Sequence, residues 1–525
     1  MERTWQSAHH FWRDILMVAT PIILRSQAGI KRDGTKFDGE FYTDGQWVRF
    51  QRGLPRKIAG YRSITKYLTE ISRGLTAFRQ QSLNYTHSGS ASLLQRLTID
   101  NAGNTSVISN RTPSSLVDDI NNRWMFDYQY DPSLTSTTLL AQVSPNGSCI
   151  CNSDGGQIFY GDVLGTSALT EITLPSGANA TGGIVCLHPY LVYYGTDGVV
   201  GWSVAGDPAD LSGSGSGIAR PWGQKIIKGL PLRAGSGSAP AGIFWAYDAV
   251  IRMSFTGGST VFQFDTIATE TSIMSENSVI DYDGIFYWVG MDRFMMFNGV
   301  VREVPNSLNL NYFFDGINKS QRSKVFTFKV PKFGEIWWCY PRGDAEECTH
   351  AVIYNVRENT WYDTQLPNTG RSSAVYLSNM LSPLLSGVED SGDGYKLWIH
   401  ESGTNEIDGT NIQPINSYFE TADLSAMVTQ QKNVETRLSI IEPDFIQSGP
   451  MTVQVTGRSN ARSPEVYGTI KTFPEQANLP FEQIVMLKEQ RRELRVKFGS
   501  NAVNGDYQMG QILGHVDDGD GTIIS

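Results

Sequence analysis

Cysteine is scarce in this chain. Its five copies, Cys149, Cys151, Cys186, Cys339 and Cys348, form an odd set without a CxxC pair. That argues against a disulfide framework and favours reduced thiols in a protein made in a cytosol. Cys149 and Cys151 stand in Cys-Ile-Cys, where strand alternation sends both to one face, but no second Cys or His pair completes a zinc site. Long hydrophobic runs are also missing. Phe11 to Leu24 is interrupted by Arg13, Asp14 and Pro21, and it falls short of the ~20 apolar residues of a spanning helix. Glu2 and Asp14 break the basic-then-apolar pattern of a secretory signal. The segment before Asp44 therefore reads as an N-terminal arm, docked or free.

Catalytic motifs are equally absent. The chain has no GxSxG elbow, no HExxH, no kinase signature and no GxxxxGK[ST] loop. His9 and His10 lie in the arm, while His87, His188, His350, His400 and His515 are scattered in or beside expected strands. Propellers often host glycosidases, so paired carboxylates deserve weighing. Glu346 with Glu347, and Glu389 with Asp390, are adjacent and point apart on a strand, as exposed turn residues do. Ser391 to Trp398 approaches an Asp-box turn but misplaces its glycine, and Val516 to Gly521 lacks the closing glutamate of a calcium loop and reads as a solvated terminus. No catalytic, cofactor-binding or metal-binding residue is assigned, and the protein is not expected to be an enzyme.

What is present is β texture. Apolar residues make up 40% and charged residues 18%, the balance of a soluble globular protein. From about Ala77 to Asp408, β-branched and aromatic runs alternate with Gly, Asn, Asp and Ser turns. The clearest echo is TDGVVGW (Thr196 to Trp202) beside YDGIFYWVG (Tyr282 to Gly290), each an Asp-Gly turn before an apolar strand. The runs recur at the ~40–60-residue spacing of four-stranded propeller blades. Six or seven candidates fit, with a pair of β-sandwiches as the alternative. Ser212 to Gly217 and Ala234 to Gly242 read as loops inside this array. After Ile412 the strands lengthen, and the alternation of Met451, Val453 and Val455 is that of a half-buried strand in a separate sandwich or barrel. The expected organisation is all-β: an arm over 1–43, a propeller over 44–410 and an antiparallel β-sandwich or barrel over 411–525.

Asp44 to Ile64 carries five basic side chains against one acid, with Trp47, Phe50 and Tyr61 among them. It reads as a hairpin with Val48 and Phe50 on one face and Trp47, Arg49 and Gln51 on the other, turned by Gly-Leu-Pro. Such a mixture holds phosphates or pairs with carboxylates and rings at protein interfaces. The formal charge of −10 disfavours wholesale DNA binding, so protein contact is the preferred reading. The candidate contact residues are Trp47, Arg49, Arg52, Arg56 and Lys57.

The two ends of the chain together carry a resemblance. Asp-Gly, Val-Arg-Phe, Gly-Leu-Pro and Lys-Ile-Ala-Gly-Tyr within residues 44–61 precede SYFET, RLSIIEPDF, SGPMTVQVTGR and RRELRVKFGSNAVNGDYQMG in the last quarter. This order resembles the short-tail nozzle, or tail-tube hub, proteins of podoviruses, related in role to packaged-DNA stabilisation proteins. The matching C-terminal positions include Arg491, Arg492, Arg495, Asn501 and Tyr507, where tyrosine replaces a frequent tryptophan. The resemblance implies a virion tail protein assembled in the host cytoplasm as a ring, usually hexameric, beneath a portal and its adaptor. It further implies a channel for exiting double-stranded DNA and a docking platform for fibre or needle proteins. Competing readings are a carbohydrate-binding or carbohydrate-cleaving receptor-binding propeller and a DNA-binding plug.

Overall fold

The computed structural model describes residues 20–36, 39–130, 137–144, 156–232, 239–424, 434–460, 462–475 and 484–522. Asp-Gly pairs show how local sequence sets its strands. Asp283 and Gly284 both take positive φ (52° and 82°), as do Asp197 and Gly198 (56° and 64°). The first pair makes the two-residue link between Val279–Tyr282 and Ile285–Val289. Left-handed turns of this kind match the twist of the flanking strands, so the chain folds back into antiparallel pairs.

Repeated, this gives, among the described residues, seven antiparallel sheets, over residues 74–110, 123–172, 183–219, 226–269, 279–303, 326–365 and 371–400. The described residues thus form a seven-bladed β-propeller. Six blades take their four strands consecutively, whereas the seventh is completed by Tyr61–Leu68, which pairs with Tyr395–His400. The chain thus closes the ring by joining its own early and late strands. Arg371–Leu377 also lies beside Gly74–Gln80 at the centre. Closure leaves only short strand edges exposed.

Middle strands are buried on both sides because each blade packs its faces on its neighbours. Glu335–Tyr340 is buried at every position, while Phe326–Val330 alternates between buried and half-buried. Between the fourth and fifth blades Trp245 meets Trp288 edge-on at 5.7 Å. Between the seventh and first, Ile64 and Leu68 pack with Leu97, Ile99, Leu384 and Leu397. The seam between the sixth and seventh blades differs. Its core, including Trp337, Leu385 and Trp398, is continuous with that of the C-terminal module.

That module is built from both ends of the chain. Asp44–Gln46 pairs with Ser417–Glu420, which pairs in turn with Glu493–Ser500. Val48–Gln51 and Leu54–Lys57 form a hairpin extended by Asp506–Met509 and Phe445–Ser448. Thr20–Ile23 joins Leu513–Thr522, Val434–Glu442 and Val485–Arg491 in a further sheet. Propeller strands accordingly begin at Tyr61 rather than at the expected boundary of Asp44, and residues 20–57 supply strands to the C-terminal sheets. The expected solvated terminus at Val516 to Gly521 is instead part of a strand, paired through its backbone to Val434–Glu442. Ladder pairing uses main-chain groups and so tolerates acidic side chains.

Replacing buried Ile64 in the closing strand by alanine should cost about 2–5 kcal/mol. Exposed Lys66→Ala in the same strand should stay within about 0.5 kcal/mol. Urea unfolding of both variants checks this, and equal midpoints would contradict closure by this strand.

Candidate functional site at the joint between propeller and module

The hairpin at Val48 is the centre of the joint. Arg52 and Gly53 form its turn, both at positive φ (55° and 75°), and the register pairs Val48 with Lys57 and Gln51 with Leu54. The hairpin therefore forms where its sequence predicts, but it turns at Arg52 and Gly53 rather than through Gly-Leu-Pro, since Leu54 and Pro55 already belong to the second strand, and its two faces do not divide into inside and outside. Val48 and Phe50 are buried, and so are Trp47 and Arg49. One face meets the module and the other enters the seam between the sixth and seventh blades.

Trp47 is the hydrophobic part of this wedge. Its ring lies 6.2 Å from Trp337 of the sixth blade and 6.1 Å from His400 of the seventh, both tilted or edge-on, with Tyr61 at 5.6 Å. Its indole N–H donates to the Ala59 carbonyl at 3.1 Å, and its own carbonyl accepts from Ser417 Oγ at 2.9 Å. Aromatic pairs of this geometry add to the burial of their area.

Arg49 is the ionic part. Only 1% of its side chain is exposed, and it pairs with Glu335 at 2.8 Å and Glu401 at 2.5 Å. Its guanidinium also lies 3.8 Å from the centre of the Phe333 ring. Glu335 is wholly buried, and its carboxylate also accepts from Trp337 Nε1 at 2.9 Å and Tyr362 OH at 2.6 Å. Burial pushes Glu335 upward against the pull of Arg49, and the Glu401 charge adds to the rise. For Arg49 burial acts to lower the pKa, but the two carboxylates outweigh it and hold the guanidinium charged. A bidentate Arg49–Glu401 pair beside a carboxylate that also accepts from Trp337 and Tyr362 is the form in which a buried ion pair is tolerable.

The other candidate residues occupy different surroundings. Lys57 is buried and donates to the Gly505 carbonyl at 2.6 Å; burial lowers its pKa to about 8, against the field of Asp506. Arg56 is half-buried and donates to Gln51 Oε1 at 2.8 Å. Arg52 is exposed, with its backbone N–H on Glu358 at 3.0 Å. The expectation of subunit or partner contact is thus corrected for Trp47, Arg49 and Lys57, whose side chains are consumed within this chain. Three polar contacts cannot be free for a neighbour when packing already surrounds them.

The C-terminal signature positions serve the same module. Arg495, 1% exposed, pairs with Glu465 at 2.5 Å and Glu420 at 3.4 Å. Tyr507 is buried and shares a 2.7 Å hydrogen bond with Ser417. Arg491 pairs with Glu489 at 2.7 Å, Arg492 is half-buried, and Asn501 is exposed just after Glu493–Ser500. Sequence reasoning missed Glu335, Glu401, Arg32, Asp363 and Glu420. Arg32 joins the joint through Asp363 at 3.0 Å and Asp44 at 2.5 Å. No local pattern could have found these residues, since Arg49 and Glu335 are 286 positions apart.

Groups weighed for chemistry lie elsewhere. Glu347 is held by Arg73 and Lys324, Glu346 is exposed, and Glu389 and Asp390 are exposed at the end of Ser382–Asp390. His87 and His400 are buried beside arginines, His188 is exposed, and His350 and His515 are half-buried. Cys149, Cys151, His9 and His10 fall outside the described residues. Among the described residues no helix is long and apolar enough to cross a membrane, and no acidic, His or Cys group is arranged to hold a metal ion.

No family model matches the chain, and no curated protein matches it. Among solved structures it is similar to one titled "Crystal structure of WD40 beta propeller domain of Doa1", with 10% identity, a TM-score of 0.38, and coverage of 66% of this chain and 97% of that one. The class of protein rests on the strand pairing itself: an all-β propeller joined to an antiparallel β-sandwich module.

Arg49→Ala strands Glu335 in the core and should cost about 3–5 kcal/mol, whereas Arg52→Ala should change stability by less than about 0.5 kcal/mol. Denaturant unfolding separates the two. Similar losses from both would contradict the wedge.

The Glu465 contact makes a second prediction, in pH. Burial would raise this carboxyl, but Arg495 and then Lys36 bring it down to about 2 from the ordinary 4.5. A depressed carboxyl stabilises the fold above its unfolded pKa and loses that contribution as pH falls through the folded value. Glu465→Gln should therefore lower Tm at pH 7, with the difference shrinking between pH 4.5 and about 2. A pH-independent difference would contradict the pairing.

Proposed function

We propose that this chain is a structural virion protein that forms the hub or nozzle ring of a short bacteriophage tail. On this reading the ring, six copies around a channel, sits beneath the portal and adaptor, retains and then releases the genome, and offers the propeller as a platform for fibres or needle proteins. The observation that carries it is the meeting of the two resembling ends. Trp47 and Ser417 are 370 positions apart yet hydrogen-bonded, Gln46 is in register with Tyr418, and Arg56 with Gln508. Motifs whose specificity lies in their joint order thus form one structural unit.

The physical role follows from the joint. A module clamped into a closed propeller is suited to bearing load from pressurised DNA, because separating the two exposes a shared core and buried ion pairs. Subunit interfaces of large area would hold the ring. Among the candidate contact residues Arg52 and Arg56 remain toward the surface and so suit contact with a neighbouring subunit or adaptor. Arg49 and Lys57 cannot reach a phosphate, which weakens the DNA-plug reading. A net charge of −10 favours DNA passage without adhesion.

Native mass spectrometry and negative-stain imaging, with and without the portal and adaptor, test the proposal. A closed ring, formed alone or on the portal, is expected. A monomer that stays monomeric with the portal complex would overturn it.

A further inference from the structure

The innermost strands of all seven blades surround a cavity of roughly 380 Å³ in the centre of the propeller. Its wall includes Asp127, Cys186, Lys228, Thr327 and Ser372, from five different blades. Central cavities of propellers ordinarily hold water, which satisfies polar backbone at the strand edges. Two features here go beyond a wet void.

The first is a set of unsatisfied donors. Ser372 is 8% exposed, and neither its Oγ nor the buried Thr327 Oγ1 has a hydrogen-bond partner. The second is a lysine at the cavity wall whose ammonium has no direct partner among the described residues. Glu347 is taken by Arg73 at 2.7 Å and Lys324 at 2.9 Å, and Glu276 by Arg123 at 3.4 Å. The Asp127 carboxylate accepts the backbone N–H groups of Cys186 at 2.7 Å and Tyr128 at 2.8 Å. Lys228 makes no ion pair or hydrogen bond with a described residue, and it feels Glu276 and Asp127 only through their fields. Burial lowers its pKa and raises that of Asp127, and the field of each opposes the shift of the other. Of the residues that line the cavity only Lys228 and Asp127 carry charge, and the Asp127 carboxylate is the one already engaged by backbone N–H groups.

We propose that the central cavity of the propeller binds a small oxyanion, with Lys228 Nζ as its charge partner and the Ser372 and Thr327 hydroxyls as donors from the opposite blades. A carboxylate or a phosphate supplies the required chemistry: negative oxygens that accept from an ammonium and from hydroxyls together. The cavity volume suits a molecule of the size of citrate or a smaller one. The site is independent of the ring-forming role, since it needs only a closed propeller.

Isothermal titration of the full chain at fixed ionic strength, with inorganic phosphate and separately with citrate, tests this. Saturable binding of one ion per chain is expected for at least one probe, and the tighter of the two assigns phosphate or carboxylate chemistry. Lys228→Met should weaken binding about tenfold or more, the scale of one lost charge-assisted hydrogen bond, and Ser372→Ala should weaken it severalfold. Asp127→Asn, which removes a repelling charge, should tighten it, an effect no loss of structure would produce. Should Lys228→Met fail to fold, the Asp127→Asn titration still decides. Absence of saturable binding of both probes, or equal affinity in the wild type and these variants as an adventitious ion only would give, would overturn the proposal.

Discussion

A guanidinium buried between two blades is the constraint on which the rest of this structure depends. Arg49 belongs to a hairpin near the start of the chain, yet its carboxylate partners, Glu335 and Glu401, come from the sixth blade and from the end of the seventh. Desolvating three charges is costly unless each is met by a fixed partner. That requirement ties the position of the hairpin to the spacing of two blades. Trp47 fills the adjacent volume against Trp337, Tyr61 and His400, so the ionic contact sits in a packed, water-poor seam.

The consequences reach in both directions along the chain. A few residues after the hairpin, Tyr61 begins the strand that completes the seventh blade and closes the propeller. Immediately before it, Asp44–Gln46 adds to the C-terminal sheet, with Arg32 linking Asp44 to Asp363 of the sixth blade. Closure of the propeller, assembly of the module and attachment of one to the other therefore depend on one short stretch of chain. Separating propeller from module would expose a core that the two share. The proposed anion site lies apart from this seam, on the propeller axis.

Much of the fold was legible in short-range pattern. Asp197-Gly198 and Asp283-Gly284 announce left-handed turns, and the recurring turn-and-strand texture implies blades. The hairpin around Val48 also follows from sequence, although it turns at Arg52-Gly53 and not through the expected Gly-Leu-Pro. The sidedness of Trp47 and Arg49 did not. Alternation assigns one face to solvent, whereas this hairpin is covered on both, by elements hundreds of residues away. The partners Glu335, Glu401 and Asp363 carry no local mark, because an isolated carboxylate in a strand looks the same whether it is exposed or paired. The acidic end at Val516 to Gly521 misleads for a related reason: its order comes from backbone pairing with Val434–Glu442, which its side chains do not advertise.

Both ends of one chain form a module wedged into the propeller of that same chain, and the proposed function adds that this unit builds a tail ring. A cryo-EM reconstruction of the intact tail, at a resolution that traces strands, tests it most directly. The account predicts a ring in which each subunit's Val48–Lys57 hairpin lies in its own seam between the sixth and seventh blades, with neighbours meeting at other surfaces. A hairpin inserted into an adjacent subunit, or a tail from which this protein is absent, would contradict it.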